Sequence, residues 1–422
     1  MDNTLSPISK VRLSSAAQRA VSDLGGQQEA MTQRVRLLSE INSGTVNQDG
    51  VDEVAQMVEP WLSEIADSVN RVPLPPHHDV SLDGSTREIA VADVLIAVRR
   101  PMAKRRVLLN IHLDTVFGPD HAFQNVRQPE PGVLHGPGVA DAKGGLIVML
   151  AALEAFERSY PHRELGWEVV LNTDEETGSR SSIGLLREAA ARSDLGLVFE
   201  PTLPDGTLIH SRKGSGNFAV VIRGRAAHAG REFARGRNAV HALSQLFITL
   251  EKLNDLGRGV TLNLGRFTGG GPSNIVPDLA IGWFNVRVLD ETGVKQIRYE
   301  IDRAVASINE RDGFSAQLHG GFTSPPKPLD APTKKLFDRV FDAGRALGLT
   351  MRSAESGGVC DGNKLAAAGL PTIDTLGPQG GHIHSDREYL LLDSLVERAR
   401  LTAVLLHRLA EHPDTFPTRH GG

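Results

Sequence analysis

Imidazole and carboxylate groups recur where predicted strands run out: His112 and Asp114, Asp141, Glu175 with Glu176, and Glu200. A further group, His382-Ile383-His384-Ser385-Asp386, lies near the C-terminus. Imidazole nitrogen and ionised carboxylate oxygen are the donors that borderline divalent cations take. Adjacent carboxylates such as Glu175 and Glu176 repel one another unless a cation or a proton compensates. Consecutive residues also point in different directions, so one is free to bind a cation while the other faces a bound water as general base. His112 and Asp114, read as i,i+2 on a strand, share a face, which lets the carboxylate hold the second ring nitrogen of a ligating imidazole. Asp141 lies in the glycine-rich loop 136–145 that opens a helix, where it either caps that helix or bridges two cations. Glu200 follows an apolar strand that Pro201 stops. Spacing alone leaves the choice between His382 and His384 open. Such a set suits two divalent ions, zinc first and manganese or cobalt next, about 3.5–4 Å apart with a bridging carboxylate. The chemistry this implies is metal-dependent hydrolysis.

The elements that position these residues alternate. Strands are predicted over 91–98, 107–116, 167–172 and 195–199, with helices over 144–157 and 182–191 between them. This order indicates a parallel sheet covered by helices, whose crevice beyond the carboxyl ends of the strands is where ligands bind. Apolar positions from Val51 to Ile65 follow helical spacing, and the proline-rich stretch 71–78 ends that helix. Residues 1–30 read as a lead-in or a first helix with no role assigned. From about Arg212 the pattern changes to strands over 217–223, 260–267, 279–289 and 314–318 with helices over 238–254 and 294–309, close to a split βαβ module. The α/β reading is therefore a mostly parallel-sheet catalytic domain over 1–211 and 323–422, interrupted by an inserted α+β domain over 212–322. Two more helices, a strand near 372–376 and a closing helix over 395–410 complete the catalytic part.

The remaining composition excludes more than it proves. At 422 residues, 40% apolar and 23% charged, the chain is long enough for two domains of ordinary enzyme composition. A formal net charge of -5 points away from nucleic acid, and no apolar run approaches the roughly 20 residues of a membrane helix. Cys360 is the single cysteine, so no intrachain disulfide forms; with no secretory signal visible, a cytoplasmic location is expected. Without a dedicated base Cys360 is not read as a nucleophile. Lys143 reads as a structural or solvated charge, and Asp361 as the cap of the helix that follows it.

Taken in order, His112-Leu-Asp114, Gly138-Val-Ala-Asp141-Ala-Lys-Gly-Gly145, Asp174-Glu-Glu-Thr-Gly178, Phe199-Glu-Pro201 and His384-Ser385 resemble the signature of the M20 family of metallopeptidases, nearest its glutamate carboxypeptidase (carboxypeptidase G2-type) branch. The resemblance runs from about Gln33 to Leu409. It implies a zinc-exopeptidase-like catalytic domain with a ferredoxin-like dimerisation or lid domain, and a homodimer. It implies that His112, Asp141 and Glu200 bind one metal and Asp141, Glu176 and His384 the other, with Glu175 as general base and Asp114 orienting His112. Arg225-Ala-Ala-His-Ala-Gly230 matches a motif whose histidine, here His228, reaches a partner's site and stabilises the oxyanion. Ser273-Asn274 and Asn285-Val-Arg287 match segments that grip a substrate carboxylate, which gives Asn274 and Arg287 that role. The family holds the bond after its bridging aspartate in cis, and this chain has Ala142 where a second aspartate is usual. The function implied is hydrolysis of an amide bond beside a free carboxylate, in a small peptide or N-acyl amino acid whose C-terminal residue is possibly glutamate. The competing reading within the family is an N-acyl-amino-acid deacylase or desuccinylase.

Overall fold

The computed structural model describes residues 12–160 and 164–417. Its centre is a six-stranded sheet in the order Ser68–Val72, Val94–Arg99, Leu165–Asn172, Arg105–His112, Leu195–Val198, Thr372–Ile373. The last four strands pair in parallel, and Val94–Arg99 runs against both of its neighbours. Strand alternation splits the side chains between two cores. Val107, Leu109 and Ile111 pack beneath the helices Gly145–Ser159 and Asp393–Glu411. Leu108 and Val170 pack on the other face with Leu186 of Ile183–Ala191 and Leu365 of Asp361–Ala367. Because both faces are covered, Arg105–His112 carries an apolar run and not an alternating one. Truncating one of these buried leucines to alanine costs roughly 2–5 kcal/mol, so the strand ends rest on a tightly packed core.

All four parallel strands finish on one edge, where His112 and Asn172 close two of them and Glu200 and Asp374 follow the other two. A small sheet, Gly380–Gly381, Tyr389–Leu391, Val133–His135 and Arg127–Glu130, ties the His384 loop to the loop that carries Asp141.

Residues 214–324 build a second sheet, all antiparallel, in the order Thr261–Gly269, Leu279–Val288, Gly214–Arg223, Ser315–Ser324. Numbered within the unit this is 2-3-1-4, the order of a split βαβ module. The helices Ala239–Glu251 and Glu291–Asn309 cover one face and enclose a separate core. Glu291–Asn309 buries Ile297, Ile301, Val305 and Ile308, one stripe at helical spacing, and Asp290 caps it by accepting from Gly293 N at 2.7 Å. The other sheet face meets a hairpin of the catalytic part, His77–Val80 with Thr86–Ile89, whose Val80 packs on Ala219, Val221 and Ile281.

Three expectations change. The strand predicted over 107–116 ends at His112, because Thr115 N leaves the sheet to donate to Ser43 O at 2.9 Å; His112 and Asp114 are therefore not strand neighbours on one face. The N-terminal segment holds two helices, Ser15–Leu24 and Gln28–Ser39, whose Ala20, Leu24, Val35 and Leu38 are buried in the main core; residues 1–11 lie outside the described part. The hairpin at 77–89 begins at the end of the helix break expected over 71–78 and occupies residues for which no element was expected, its strands being too short to give a periodic signal. No helix among the described residues is long and apolar enough to cross a membrane.

Candidate metal centre

His112 ends its strand buried, with Nδ1 2.9 Å from the Asp114 carbonyl oxygen and 3.4 Å from Asp114 Oδ1. Asp114 is held in turn. Its carboxylate accepts from Glu175 N and Glu176 N, both at 3.2 Å, and from Thr45 Oγ1 at 2.7 Å. One aspartate thus orients the imidazole and fixes the backbone of the paired glutamates. The other ring nitrogen, His112 Nε2, lies 3.1 Å from Asp141 Oδ1 and 3.8 Å from Glu200 Oε1. On the far side of Asp141, His384 Nε2 lies 3.3 Å from Asp141 Oδ2 and 3.2 Å from Glu176 Oε2.

Two donor trios result, His112, Asp141, Glu200 and Asp141, Glu176, His384, each with its ligand atoms within 4.8 Å of one another. Asp141 belongs to both, one oxygen turned to each side. Its peptide bond to Ala142 is cis. His384 has φ +61°, a left-handed backbone that a residue with a side chain rarely adopts. His382 lines the same cavity but joins neither trio, so of the two histidines that spacing left open it is His384 that lies among the other donors.

The electrostatics fit cations. Burial pushes Glu200 up to about 8 against the pull of His112. It also raises Glu176 and lifts Glu175 well above the ordinary carboxylate range, with Lys364 opposing and Asp361 and Glu200 adding to the effect on Glu175. Burial resists ionisation of Asp141 too, but its hydrogen bonds to His112 and His384 hold it low. Hydrogen bonds to Asp141 and Glu176 raise His384 to about 11. Within the two trios, three crowded, desolvated glutamate and aspartate carboxylates face two imidazoles, an arrangement that added positive charge would relieve. Glu176 Oε1 is buried with no hydrogen-bond partner among the described residues, an oxygen of the kind a metal takes. The residues present fit a pair of divalent ions.

Several supports were not foreseen. Glu388 is fully buried and accepts from Gly138 N at 3.1 Å, Ala140 N at 2.9 Å and Asp141 N at 3.0 Å, which fixes the loop behind the shared aspartate. In sequence it is one charge among Asp386, Arg387 and Glu388, and nothing distinguishes it. Lys143 is structural and not solvated: buried, it donates to Ser43 Oγ at 2.6 Å and to the Leu113 carbonyl oxygen between His112 and Asp114. Asp361 is not a helix cap. Cys360 holds the capping position, and the Asp361 carboxylate instead accepts from Ser179 Oγ at 2.5 Å and Asn172 Nδ2 at 2.6 Å and pairs with Lys364 Nζ at 2.9 Å. Arg212, Asp374 and Lys327 form a second buried charge group, with Arg212 Nε and Lys327 Nζ 2.9 and 3.0 Å from Asp374 Oδ2.

A cavity of about 700 Å³ opens over the centre. Asp141, Glu175, Glu176, Glu200 and His384 form one wall, and Arg287, Asn285 and Asn217 of the second sheet face them. Arg287 projects from the face opposite buried Phe284, Val286 and Val288, held by Asn285 Oδ1 at 3.0 Å and the Gly357 carbonyl oxygen at 3.1 Å. His228 and Asn274 are not among the lining residues. They sit together, exposed, where His228 bridges to Ile275 and Ala229 N donates to Asn274 O at 2.8 Å.

The sequence profile of peptidase family M20/M25/M40 matches residues 108–408. Among curated proteins the chain is similar to carboxypeptidase G2 of Pseudomonas sp. (strain RS-16), 29% identical over 399 residues, covering 90% of this chain and 89% of that one. It is also similar to succinyl-diaminopimelate desuccinylase of Stutzerimonas stutzeri (strain A1501), 28% identical over 67% of this chain and 77% of that one. Among solved structures it shares its fold with the dipeptidase Dug1p of Saccharomyces cerevisiae, with a TM-score of 0.69 at 15% identity over 94% of this chain and 99% of that one.

Proposed function

Because this chain belongs to peptidase family M20/M25/M40, we propose that it hydrolyses an amide bond adjacent to a free carboxylate, releasing a C-terminal amino acid from a small peptide or an N-acyl amino acid. The observation that carries this reading is the pair of donor trios sharing Asp141, with Glu175 and Arg287 on the walls of the same cavity. His112, Asp141 and Glu200 would hold one metal and Asp141, Glu176 and His384 the other, with zinc the ion expected from this donor set. Such a pair, when bound, polarises a carbonyl and lowers the pKa of water.

The chain's own residues supply the rest. Glu175, half-buried on the cavity wall and in neither trio, takes a proton from the attacking water and returns it to the leaving nitrogen. Asp114 keeps His112 turned toward Asp141 and fixes the backbone that carries Glu175. Arg287 offers a planar fork to the substrate carboxylate. His228 and Asn274, which do not line the cavity of their own protomer, would serve the oxyanion and the carboxylate of a partner's site, which makes the active form a homodimer. The strand Thr261–Gly269 supports this: it is the outer edge of its sheet, with Leu264 and Phe267 exposed along it. The likeness to a desuccinylase supports a second reading, in which the substrate is an N-succinyl or other N-acyl amino acid.

Replacing Glu175 with Gln tests the core of this. The variant is expected to keep two equivalents of metal by elemental analysis and to lose at least about 10²-fold in kcat, the usual worth of a positioned base. Substantial turnover in it would remove Glu175 from its role. A panel of dipeptides, N-acetyl and N-succinyl amino acids separates the two substrate readings.

A further inference from the structure

The cavity over the metal centre does not end at Asn217. A second chamber of about 260 Å³ continues from it, and the two share Thr177, Asn217 and Thr323 on their walls. Thr177 directly follows Glu175 and Glu176, so the wall common to the two chambers lies beside the reacting groups.

The floor of this chamber is the open face of the second sheet. Ala219 pairs with Trp283 on one side and His319 on the other. A methyl flanked by an indole and an imidazole makes a trough, its two walls on strands about 9.5 Å apart. The roof is the hairpin His77–Val80 with Thr86–Ile89, through His78, Asp79 and Thr86. Arg180 fastens that roof by donating to the His78 carbonyl oxygen. Arg180 and Asp79 stand 3.9 Å apart, so their charges offset and the chamber presents no net attraction for an ion. Trp283 is steadied by the Arg266 guanidinium, 4.8 Å from its ring centroid. His319 Nε2 is buried and has no hydrogen-bond partner among the described residues.

We propose that this chamber is a binding subsite for an uncharged planar ring on the acyl side of the substrate, stacked along Trp283 with a polar edge toward His319. This rests on the reading of Arg287 as the carboxylate contact. Trp283 and Arg287 share a face of one strand four residues apart, about 13 Å. A molecule that gives its carboxylate to Arg287 and its amide to the metal centre reaches past Thr177 with its acyl group only. The volume suits one substituted six-membered ring and not an extended peptide.

The test compares N-benzoyl and N-acetyl derivatives of whichever amino acid the zinc-loaded enzyme releases fastest. Wild type is expected to favour the benzoyl compound in kcat/KM, and Trp283→Ala to cut that preference roughly three- to tenfold, the span of a ring–ring contact. Trp283→Phe, which keeps a ring and guards against misfolding, is expected to hold the preference within about twofold. An unchanged ratio in Trp283→Ala, or no preference in wild type, overturns the proposal. If no N-acyl amino acid is cleaved at all, the functional reading fails separately. The chamber is then judged by benzamide binding in ligand-observed NMR: loss of the signal in Trp283→Ala upholds it, and equal signals in both proteins overturn it.

Discussion

Asp361 separates two physical accounts of one carboxylate by the size of a stability change. A helix cap exchanged for alanine costs about 1 kcal/mol. The observed contacts of Asp361 are of another kind. It accepts from Asn172 at the end of one strand and from Ser179 just beyond the paired glutamates, and it balances the buried ammonium of Lys364. Burial works to raise its pKa, yet Lys364 and Ser179 more than offset that and hold it below the ordinary value. Asp361→Ala leaves Lys364, 1% exposed, without its counter-charge. Breaking a buried pair this way costs about 3–5 kcal/mol, a large share of the roughly 5–15 kcal/mol that holds a protein folded. Urea unfolding of the metal-free protein at pH 7 reads the difference directly. The double variant Asp361→Ala, Lys364→Met is expected to recover at least half of the loss, because the stranded charge goes with it. A loss near 1 kcal/mol, or no recovery in the double variant, would refute the clamp and restore the cap.

Other expectations follow from the same structure. Mixing inactive Glu175→Gln and His228→Ala proteins under conditions that exchange subunits should restore about a quarter of wild-type activity, since half the dimers are mixed and each has one intact site if His228 acts across the interface; no recovery places His228 elsewhere. Glu388→Gln should weaken metal binding about 10–100-fold, the usual cost of losing support behind a ligand, which a chelator competition measures. His407 is fully buried, its Nε2 2.9 Å from Ser159 Oγ and its Nδ1 without a partner among the described residues, and burial lowers it to about 4. The unfolded ring binds its proton near 6.5, so stability is intact above that and falls as pH drops toward 4, by up to about 3 kcal/mol. Denaturation midpoints across that window should fall less in His407→Leu; an identical pH dependence would exclude the residue.

Most of the donor set was legible because strand ends are. An apolar run buried on both faces announces itself, and a histidine or carboxylate where it stops has little reason to be there without a ligand. That logic found His112, Glu175, Glu176 and Glu200, and the glycine-rich loop marked Asp141. It failed for groups whose partners are distant in the chain. Glu388 meets the 138–141 backbone from some 250 positions away, and Asp361 meets Asn172 and Ser179 from beyond the inserted unit. Neither sits at a periodic or punctuated place, so each looked like a surface charge or a cap. The hairpin at 77–89 was missed for another reason. Its four-residue strands take their stability from Val80 against the second sheet, a tertiary contact with no local signature. The pairing of His112 with Asp114 was anticipated for a geometry the chain does not adopt, since the strand stops at His112 and the contact is made across a turn.

The order of the donors along the chain has a temporal consequence. His112, Asp141 and Glu200 all precede the inserted unit, whereas His384 follows it. During synthesis the first trio is translated long before the second gains its imidazole, and Asp361 and Glu388 are also late arrivals. On the proposed mechanism, a polypeptide still on the ribosome carries half a reaction centre and cannot cut the peptides around it. On that mechanism, hydrolytic competence waits for the segment that carries His384.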